Sequence, residues 1–173
     1  MDKKDRQLAM VNEISALIMQ NPHPEELIQL LIEAIHRGIG VDRTLLFLRD
    51  PARDSITGRL GLGYDVPPFL NEISLPTRSD GPLGKAIQDK EAFNSADGES
   101  HLESGHPRLE IPAFAEIQAF ALVPFLAGKE VIGLVVVDNT FTHQPITDHE
   151  VGLIGTFLNL AGTYLARYAK KTI

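Results

Sequence analysis

The sequence predicts one α+β domain, with helices at both ends of the chain and β-hairpins between them. Its 173 residues fit a single domain of ordinary size. Residues 7–20 and 147–170 repeat apolar side chains at helical spacing. Residues 119–126 and 131–137 are apolar runs separated by Ala-Gly-Lys-Glu, which is typical of a β-hairpin. Helices and antiparallel strands therefore occupy separate parts of the chain.

Two helices are predicted at the start of the chain. In residues 7–20 five apolar side chains share one broad face, and Asn21-Pro22 predicts the end of that helix. Pro24 suits the first turn of a second helix, where Glu25 and Glu26 favour its positive end. Gly38 and Gly40 predict where this second helix ends.

The elements that follow are short. Thr44–Leu48 predicts a compact apolar strand, and the turn residues Asp50–Asp54 lead to a second strand at about Ser55 to Gly63. Proline at position 82 again favours a helix start. The remaining short elements are predicted at Ile73–Leu75 (strand), Leu83–Asp89 (helix) and Ala92–Asn94 (strand).

The segment from Ser95 to about Ile111 is the longest stretch without clear periodicity. It is polar and holds two glycines and two histidines. Long loops in compact domains are often lids or ligand-contacting segments. A mobile surface loop explains the same composition equally well, so both interpretations stay open.

The final helix, residues 147–170, has two apolar stripes. Thr147 and Glu150 form a capping box at its start. We expect the second stripe to cover the sheet and the first, spaced like a coiled-coil seam, to meet another chain. The alternative is that the N-terminal helix covers the remaining stripe within one chain. The first stripe comprises Val151, Ile154, Leu158, Ala161, Leu165 and Tyr168, and the second Leu153, Phe157, Leu160 and Tyr164.

Composition excludes several classes of function. Sixteen Lys and Arg against twenty-three Asp and Glu give a net charge of −7, which disfavours nucleic acid as a partner. The absence of cysteine excludes disulfides, thiolate metal sites and cysteine nucleophiles. The chain shows neither an apolar run of about 20 residues nor the apolar core of a signal peptide. We therefore expect a cytoplasmic protein that does not bind membranes.

The order of elements and the amino-acid sequence of the C-terminal third resemble those of the GAF family of small-molecule sensor domains. The resemblance rests on Phe120–Phe125 (FALVPF), Gly128–Asn139 (GKEVIGLVVVDN) and Ile146–Glu150 (ITDHE). Leu83–Ile87 with Asp89–Glu91 is similar to the family's helix in the middle of the chain. The match covers residues 7 to 170.

The resemblance implies a single domain over residues 1–173 with a profilin-like central antiparallel sheet of about six strands. The terminal helices would pack on one face, and a pocket would lie on the other. Such domains usually belong to bacterial signalling proteins beside kinases, regulators or nucleotide-cyclising enzymes. A homodimer through the terminal helices is expected, together with an attached output domain if the chain is a fragment.

Known chemistries of this family find little support in the residues. The cyclic-nucleotide motif is only partly matched, because Thr140 follows Asn139 and His149 separates Asp148 from Glu150. Bilin attachment and methionine-sulfoxide reduction in this family both need cysteine, which the chain lacks. No nucleophile-elbow sequence is present, so we expect no enzyme activity.

The candidate ligand-binding residues lie at the predicted pocket. The helix start near Pro82 would offer free amides beside Arg78, an arrangement that can hold a carboxylate or phosphate. Plain solvent exposure of that helix start is the competing interpretation. The full candidate set is Arg78, Ser79, Gly81, Asn94, His101, His106 and Arg108.

The histidine-containing loop also allows a metal hypothesis. His101 and His106, with Asp97, Glu99 and Glu103, could supply imidazole and carboxylate ligands. Their spacing specifies no coordination geometry, and no metal is predicted.

Three functions follow in order of preference. The first is a sensory domain that binds a small ligand, with an anion as one candidate class, and relays the change through its terminal helices. The second is a dimerisation or interaction module without a ligand. The third is a metal-assisted enzyme that uses the 95–111 loop.

Overall fold

The structure, a computed structural model, describes residues 1–98, 111, 117 and 119–171, with side chains given for 1–96, 111, 117 and 119–167. A π-helical turn at His36–Gly40 and a 3-10 turn at Leu70–Glu72 supplement the regular elements. These are α1 (Lys3–Met19), α2 (Pro24–Ile35), β1 (Arg43–Asp50), β2 (Ser55–Gly63), β3 (Ser74–Pro76), α3 (Pro82–Asp89), β4 (Phe93–Asn94), α4 (Ser95–Gly98), β5 (Phe120–Ala127), β6 (Glu130–Asp138) and α5 (Asp148–Lys171).

The first two helices begin and end where side chains satisfy the backbone. The Asp2 carboxylate accepts a hydrogen bond from the Asp5 amide at 2.8 Å, so α1 starts four residues before the predicted position. Asn21 takes a left-handed conformation (φ 52°) directly after the helix. The helix therefore ends where the Asn21-Pro22 pair predicts. Pro24 opens α2, and Gly40 with φ 78° closes the π-helical turn that follows it.

The six strands form one antiparallel sheet in the order β3-β2-β1-β6-β5-β4. The hairpins β1–β2 and β5–β6 lie side by side, joined by pairing of β1 with β6 at the centre. The register of β5 and β6 shifts between Phe125 and Leu126, beside Gly133. A Cβ on Gly133 would collide with the Phe47 carbonyl, so close approach and a bulge coincide there. The predicted α+β class with about six strands is confirmed.

Two hydrophobic cores lie on opposite faces of this sheet. The helix-side core joins the sheet to α1, α2 and α5, and the distal core joins it to α3. Along β6, Val135 and Val137 point to the helix side, whereas Leu134 and Val136 point to the distal side. Each fully buried side chain of this size contributes roughly 1.5–3 kcal/mol. The terminal helices pack on one face, as expected.

The stripes of α5 are arranged differently from the prediction. Ile154, Leu158 and Ala161, assigned to a seam between chains, are fully buried in the helix-side core. Leu160 and Tyr164, assigned to the sheet, are half-buried and line a groove beside α1. The assignment was wrong for these residues, whereas Phe157 of the second stripe is fully buried in the helix-side core as predicted. Helical spacing shows that two stripes exist but not how each is divided between the sheet and the surface.

α5 lies unusually close to β5 at Gly162. A Cβ at this position would overlap the Leu126 carbonyl, so the helix backbone rests on the strand. Gly152 and Gly155, on the same helix, have open space around the corresponding position. The absence of a side chain at residue 162 therefore sets the distance between α5 and the sheet.

Replacing Gly162 with alanine should destabilise the domain by about 1–3 kcal/mol, because the helix must shift away from β5. The matched change Gly152→Ala should instead raise the free energy of unfolding by about 0.5–1 kcal/mol through helix propensity. Urea denaturation of both variants measures the difference. Equal effects of the two substitutions would contradict the close approach.

Candidate functional site

The sequence predicts a ligand pocket on the distal face, opposite the terminal helices. α3 and the buried side chains of Ile111 and Ile117 cover this face, and Phe93 of β4 packs against them. Phe93 and Phe120 stack there with ring centroids 5.8 Å apart. A cleft of about 180 Å³ opens between α3 and β4, lined by Lys85, Ala86, Asp89, Glu91, Ala92 and Phe93. Of the candidate residues that the structure describes, Arg78, Ser79 and Gly81 lie at the start of α3, whereas Asn94 lies in the edge strand β4.

Arg78 projects into solvent near the start of α3. Its side chain is 83% exposed, and its Nε lies 3.6 Å from Asp54 Oδ2. The Thr77 hydroxyl donates a hydrogen bond to the same carboxylate at 2.7 Å, and this bond lowers the pKa of Asp54, assisted by Arg78 and Arg49. Arg78 is thus a guanidinium held loosely beside one carboxylate, with most of its donors facing water.

The start of α3 is already capped within the chain. Gly81 is the N-cap residue in extended conformation, and the Ser79 hydroxyl accepts a hydrogen bond from the Gly84 amide at 3.2 Å. An anion at this helix start would have to replace the Ser79 hydroxyl. Sequence reasoning did not foresee this cap, because a serine five residues before the amide follows no standard capping pattern.

Asn94 is buried and fully hydrogen-bonded. Its Nδ2 donates to the Ile146 carbonyl at 2.6 Å and to Asp148 Oδ1 at 3.2 Å, and its Oδ1 accepts from the Ala96 amide at 3.1 Å. The sequence nominated Asn94 as a ligand contact but gave no sign of this link to the start of α5.

His101, His106 and Arg108 lie outside the described residues, as do Glu99 and Glu103 and the side chain of Asp97. Their proposed roles in a lid, a ligand site or a metal site stay predictions. Among the described residues, no group of three or more His, Asp or Glu side chains is placed to hold a metal ion.

The first turn of α5 joins the two terminal helices. The Thr147 hydroxyl accepts from the Glu150 amide at 3.1 Å, and Glu150 Oε1 accepts from the Thr147 amide at 3.2 Å, so the predicted capping box is confirmed. Lys3 on α1 reaches Glu150 Oε2 at 3.1 Å. Burial opposes ionisation of Glu150, but the hydrogen bonds from Thr147 and Lys3 outweigh it and lower its pKa.

The connection from β6 to α5 is tied to the start of β1. The Asp42 carboxylate accepts hydrogen bonds from the Phe141 amide at 2.8 Å and from the Thr142 amide at 2.9 Å. These bonds outweigh the effect of burial and lower the pKa of Asp42. Beneath them Arg43 and Asp138 form a buried ion pair at 2.8 Å, although burial still raises the pKa of Asp138. Spacing alone did not reveal these long-range pairs.

A groove of about 530 Å³ separates α1 from α5 on the outer surface. Met19, which is 84% exposed, stands at this groove, and Tyr164 donates its hydroxyl to the Pro22 carbonyl at 2.6 Å. The hydroxyls of Thr156 and Thr163 donate hydrogen bonds to carbonyls of their own helix, at 3.1 and 2.9 Å. The groove is lined by Ser15, Ile18, Met19, Thr156, Asn159, Leu160, Thr163, Tyr164 and Arg167.

Within the described parts of the chain, no helix has both the length and the apolar composition needed to cross a membrane.

Comparison with known proteins identifies relatives of the whole arrangement. The family model described as the GAF domain matches residues 23–165. A solved structure from a methyl-accepting chemotaxis protein is 24% identical, covers 92% of this chain and 99% of its own, and has a TM-score of 0.74. No curated protein matches this sequence.

Two further solved structures are described as containing a bound small molecule. The phycoerythrobilin-bound GAF domain of a cyanobacterial phytochrome is 14% identical, with a TM-score of 0.73 over 98% of this chain and all of its own. Free methionine-R-sulfoxide reductase from Neisseria meningitidis, in complex with its substrate, is 12% identical, with a TM-score of 0.72 over all of this chain and 95% of its own. At these identities the similarity shows a shared fold.

Acid should weaken the attachment of α5, because Glu150 and Asp42 have lowered pKa values in the folded state. The unfolded chain then binds more protons near pH 4, so stability rises with pH there and is lost as pH falls through the folded-state values. The substitutions Glu150→Gln and Asp42→Asn should each flatten this dependence between pH 3 and pH 6, as measured by urea denaturation. Glu91→Gln, at an exposed position, is the control, and a slope no flatter than in this control would contradict the prediction.

Proposed function

The chain belongs to the GAF family, and on this premise we propose that it is a sensory or regulatory domain of a signal-transduction protein. In this proposal it binds a small ligand on the distal face and transmits the change through α1 and α5. A bacterial, cytoplasmic setting and an attached output domain are part of the proposal.

One observation carries this proposal: the two terminal helices pack together on one face of the sheet, opposite the layer that contains α3. α1 and α5 run in the same direction, since Lys3 meets Glu150 near their starts and Ile18 lies with Leu160 along the groove. A conformational change on the distal face could therefore be transmitted through the sheet to a pair of parallel helices.

A small ligand is favoured by the distal layer and by the relatives. Arg78 presents a largely exposed guanidinium at the edge of this layer, which suits a carboxylate or phosphate. The phytochrome and sulfoxide reductase structures hold a bilin and a substrate on the same fold. The absence of cysteine supports a binding role rather than thiol chemistry, so the proposed domain is not an enzyme.

The proposal is tested by mass spectrometry of the purified domain. Native spectra should show a mass excess that denaturing spectra release as a small molecule. A library of carboxylates and phosphates, screened by thermal shift, serves if nothing co-purifies, because a ligand that binds only the folded state raises its melting temperature. Failure to find a binder by either route would contradict the ligand-binding function.

Arg78→Ala should weaken an anionic ligand so identified by about tenfold or more, since charge-assisted hydrogen bonds contribute roughly 1.5–3 kcal/mol. Folding stability should change little, because the Arg78–Asp54 pair is exposed. Arg53→Ala is the matched control, since Arg53 is 82% exposed and also pairs with a carboxylate, that of Asp50. Calorimetric titration of both variants decides the role, and equal affinities would eliminate Arg78 as a contact.

The groove between α1 and α5 favours a second candidate, a homodimerisation or interaction module. Its lining includes Leu160, Ile18 and the exposed Met19, which give the terminal helices an apolar surface. Exposed apolar surfaces of this kind commonly mark contact sites. A dimer would be compatible with the sensory role, because it would bring the terminal helices of two copies together.

A dimer through this groove predicts that Met19→Asp with Thr163→Asp produces a folded monomer. Both positions are exposed in one chain, so the charges disturb the contact rather than the core. Leu158→Glu would be a poor test, because Leu158 is buried within the chain. Light scattering gives the mass, with Phe69→Asp on another exposed surface as the control. A native domain that stays monomeric at high concentration would overturn the dimer.

A further inference from the structure

We infer that Asn94 is a coupling residue that links the distal layer to the start of α5, around the edge of the sheet. The inference rests on the proposed sensory function, for which it supplies the path of transmission. Its evidence lies in the hydrogen bonds of β4, α4 and the first turn of α5.

β4 is the edge strand and belongs to both layers. Phe93 packs into the distal core and stacks on Phe120, whereas the Asn94 side chain points to the opposite side. β4 pairs with β5 through only two residue pairs, Phe93 with Leu122 and Asn94 with Ala121. Because so few pairs hold it, β4 can shift at lower cost than the long central strands.

The side-chain amide of Asn94 is hydrogen-bonded both to the start of α5 and to α4. Its two bonds from Nδ2 reach Ile146, which is 2% exposed, and Asp148, the first residue of α5. Its Oδ1 holds the Ala96 amide within α4. All of its hydrogen-bonding groups are engaged at a buried position, so a displacement of β4 must either move the start of α5 or leave polar groups unsatisfied.

The input side of this link is α4. The Ser95 hydroxyl accepts a hydrogen bond from the Phe120 amide at 3.0 Å, which ties α4 to the distal core. Ile111 and Ile117, which come later in the chain, have side chains buried in the same core. A ligand that rearranges this layer therefore acts on the two residues that flank Asn94.

The output side is the first turn of α5. Asp148 and Ile146 flank Thr147, whose capping box with Glu150 starts the helix, and Glu150 in turn binds Lys3 of α1. One series of polar contacts thus runs from the distal layer through Asn94 to both terminal helices. It passes around the sheet edge and does not require the close-packed central strands to move.

A double-mutant cycle without ligand tests this coupling. Ile117→Ala disturbs the distal core, and amide exchange at Val151, resolved by NMR, reports on the start of α5. Exchange at Val135 in the central strand β6 serves as the reference for global unfolding. The same measurement is made in the Asn94→Asp background, which keeps the side-chain size but removes both donors and places a carboxylate beside Asp148.

Relative to Val135, Ile117→Ala should raise exchange at Val151 about fivefold in the native background, within the range known for residues of one network. The increase should fall below about twofold in the Asn94→Asp background. Asn71→Asp, at an exposed position, is the control background and should preserve the fivefold effect. A purely structural role of Asn94 would leave the effect of Ile117→Ala unchanged, because the two substitutions would then add.

Equal increases in the native and Asn94→Asp backgrounds, or no increase in the native one, would overturn the inference. If Ile117→Ala does not fold, Ile117→Val makes a smaller cavity and is read by the same ratio. The experiment uses no ligand, so a failed ligand search contradicts the sensory function alone. A bound ligand together with additive substitutions would overturn only the route through Asn94.

Discussion

The structure depends on one constraint: the central strands of the sheet must be buried on both faces. β5 and β6 are apolar at nearly every position, and their alternate side chains enter two separate cores. Neither core could exclude water without its own covering layer. The terminal helices provide one layer, and α3 with the buried residues Ile111 and Ile117 provides the other. A domain built in this way has two faces that share the same strands.

Polar contacts at the sheet ends and edges complement this packing. Asp42 holds the connection before α5, and Arg43 and Asp138 pair beneath it at the central strands. Asn94 holds the start of α5 from the edge strand β4. These contacts join residues about 50 to 100 positions apart in the chain. They give the N-terminal end of α5 several independent attachments, whereas its apolar face is held by packing and by the hydrogen bond from Tyr164 to the Pro22 carbonyl. A sensory role would act most readily where such attachments can be exchanged.

The candidate ligand site was only partly accessible to sequence reasoning. Arg78 stands exposed near the start of α3, and its role in ligand binding stays a prediction. Ser79 and Asn94 turned out to have partners within the chain, because serine and asparagine serve equally well as ligands for a metabolite and as caps for a backbone. Residue type specifies hydrogen-bonding capacity, and only the folded chain decides which partner uses it.

The sequence by itself determined the order and type of the longer elements, whereas α4 lies in the segment that was predicted to be irregular. Period-two and period-3.6 patterns, prolines at helix starts and the Thr147–Glu150 box are local signals, so β2 and α5 were located almost to the residue. The tertiary structure decided which stripe of α5 meets the sheet, how closely Gly162 approaches β5, and which residue Asn94 contacts. These depend on distances between segments far apart in the chain, and no local pattern of side chains encodes such distances.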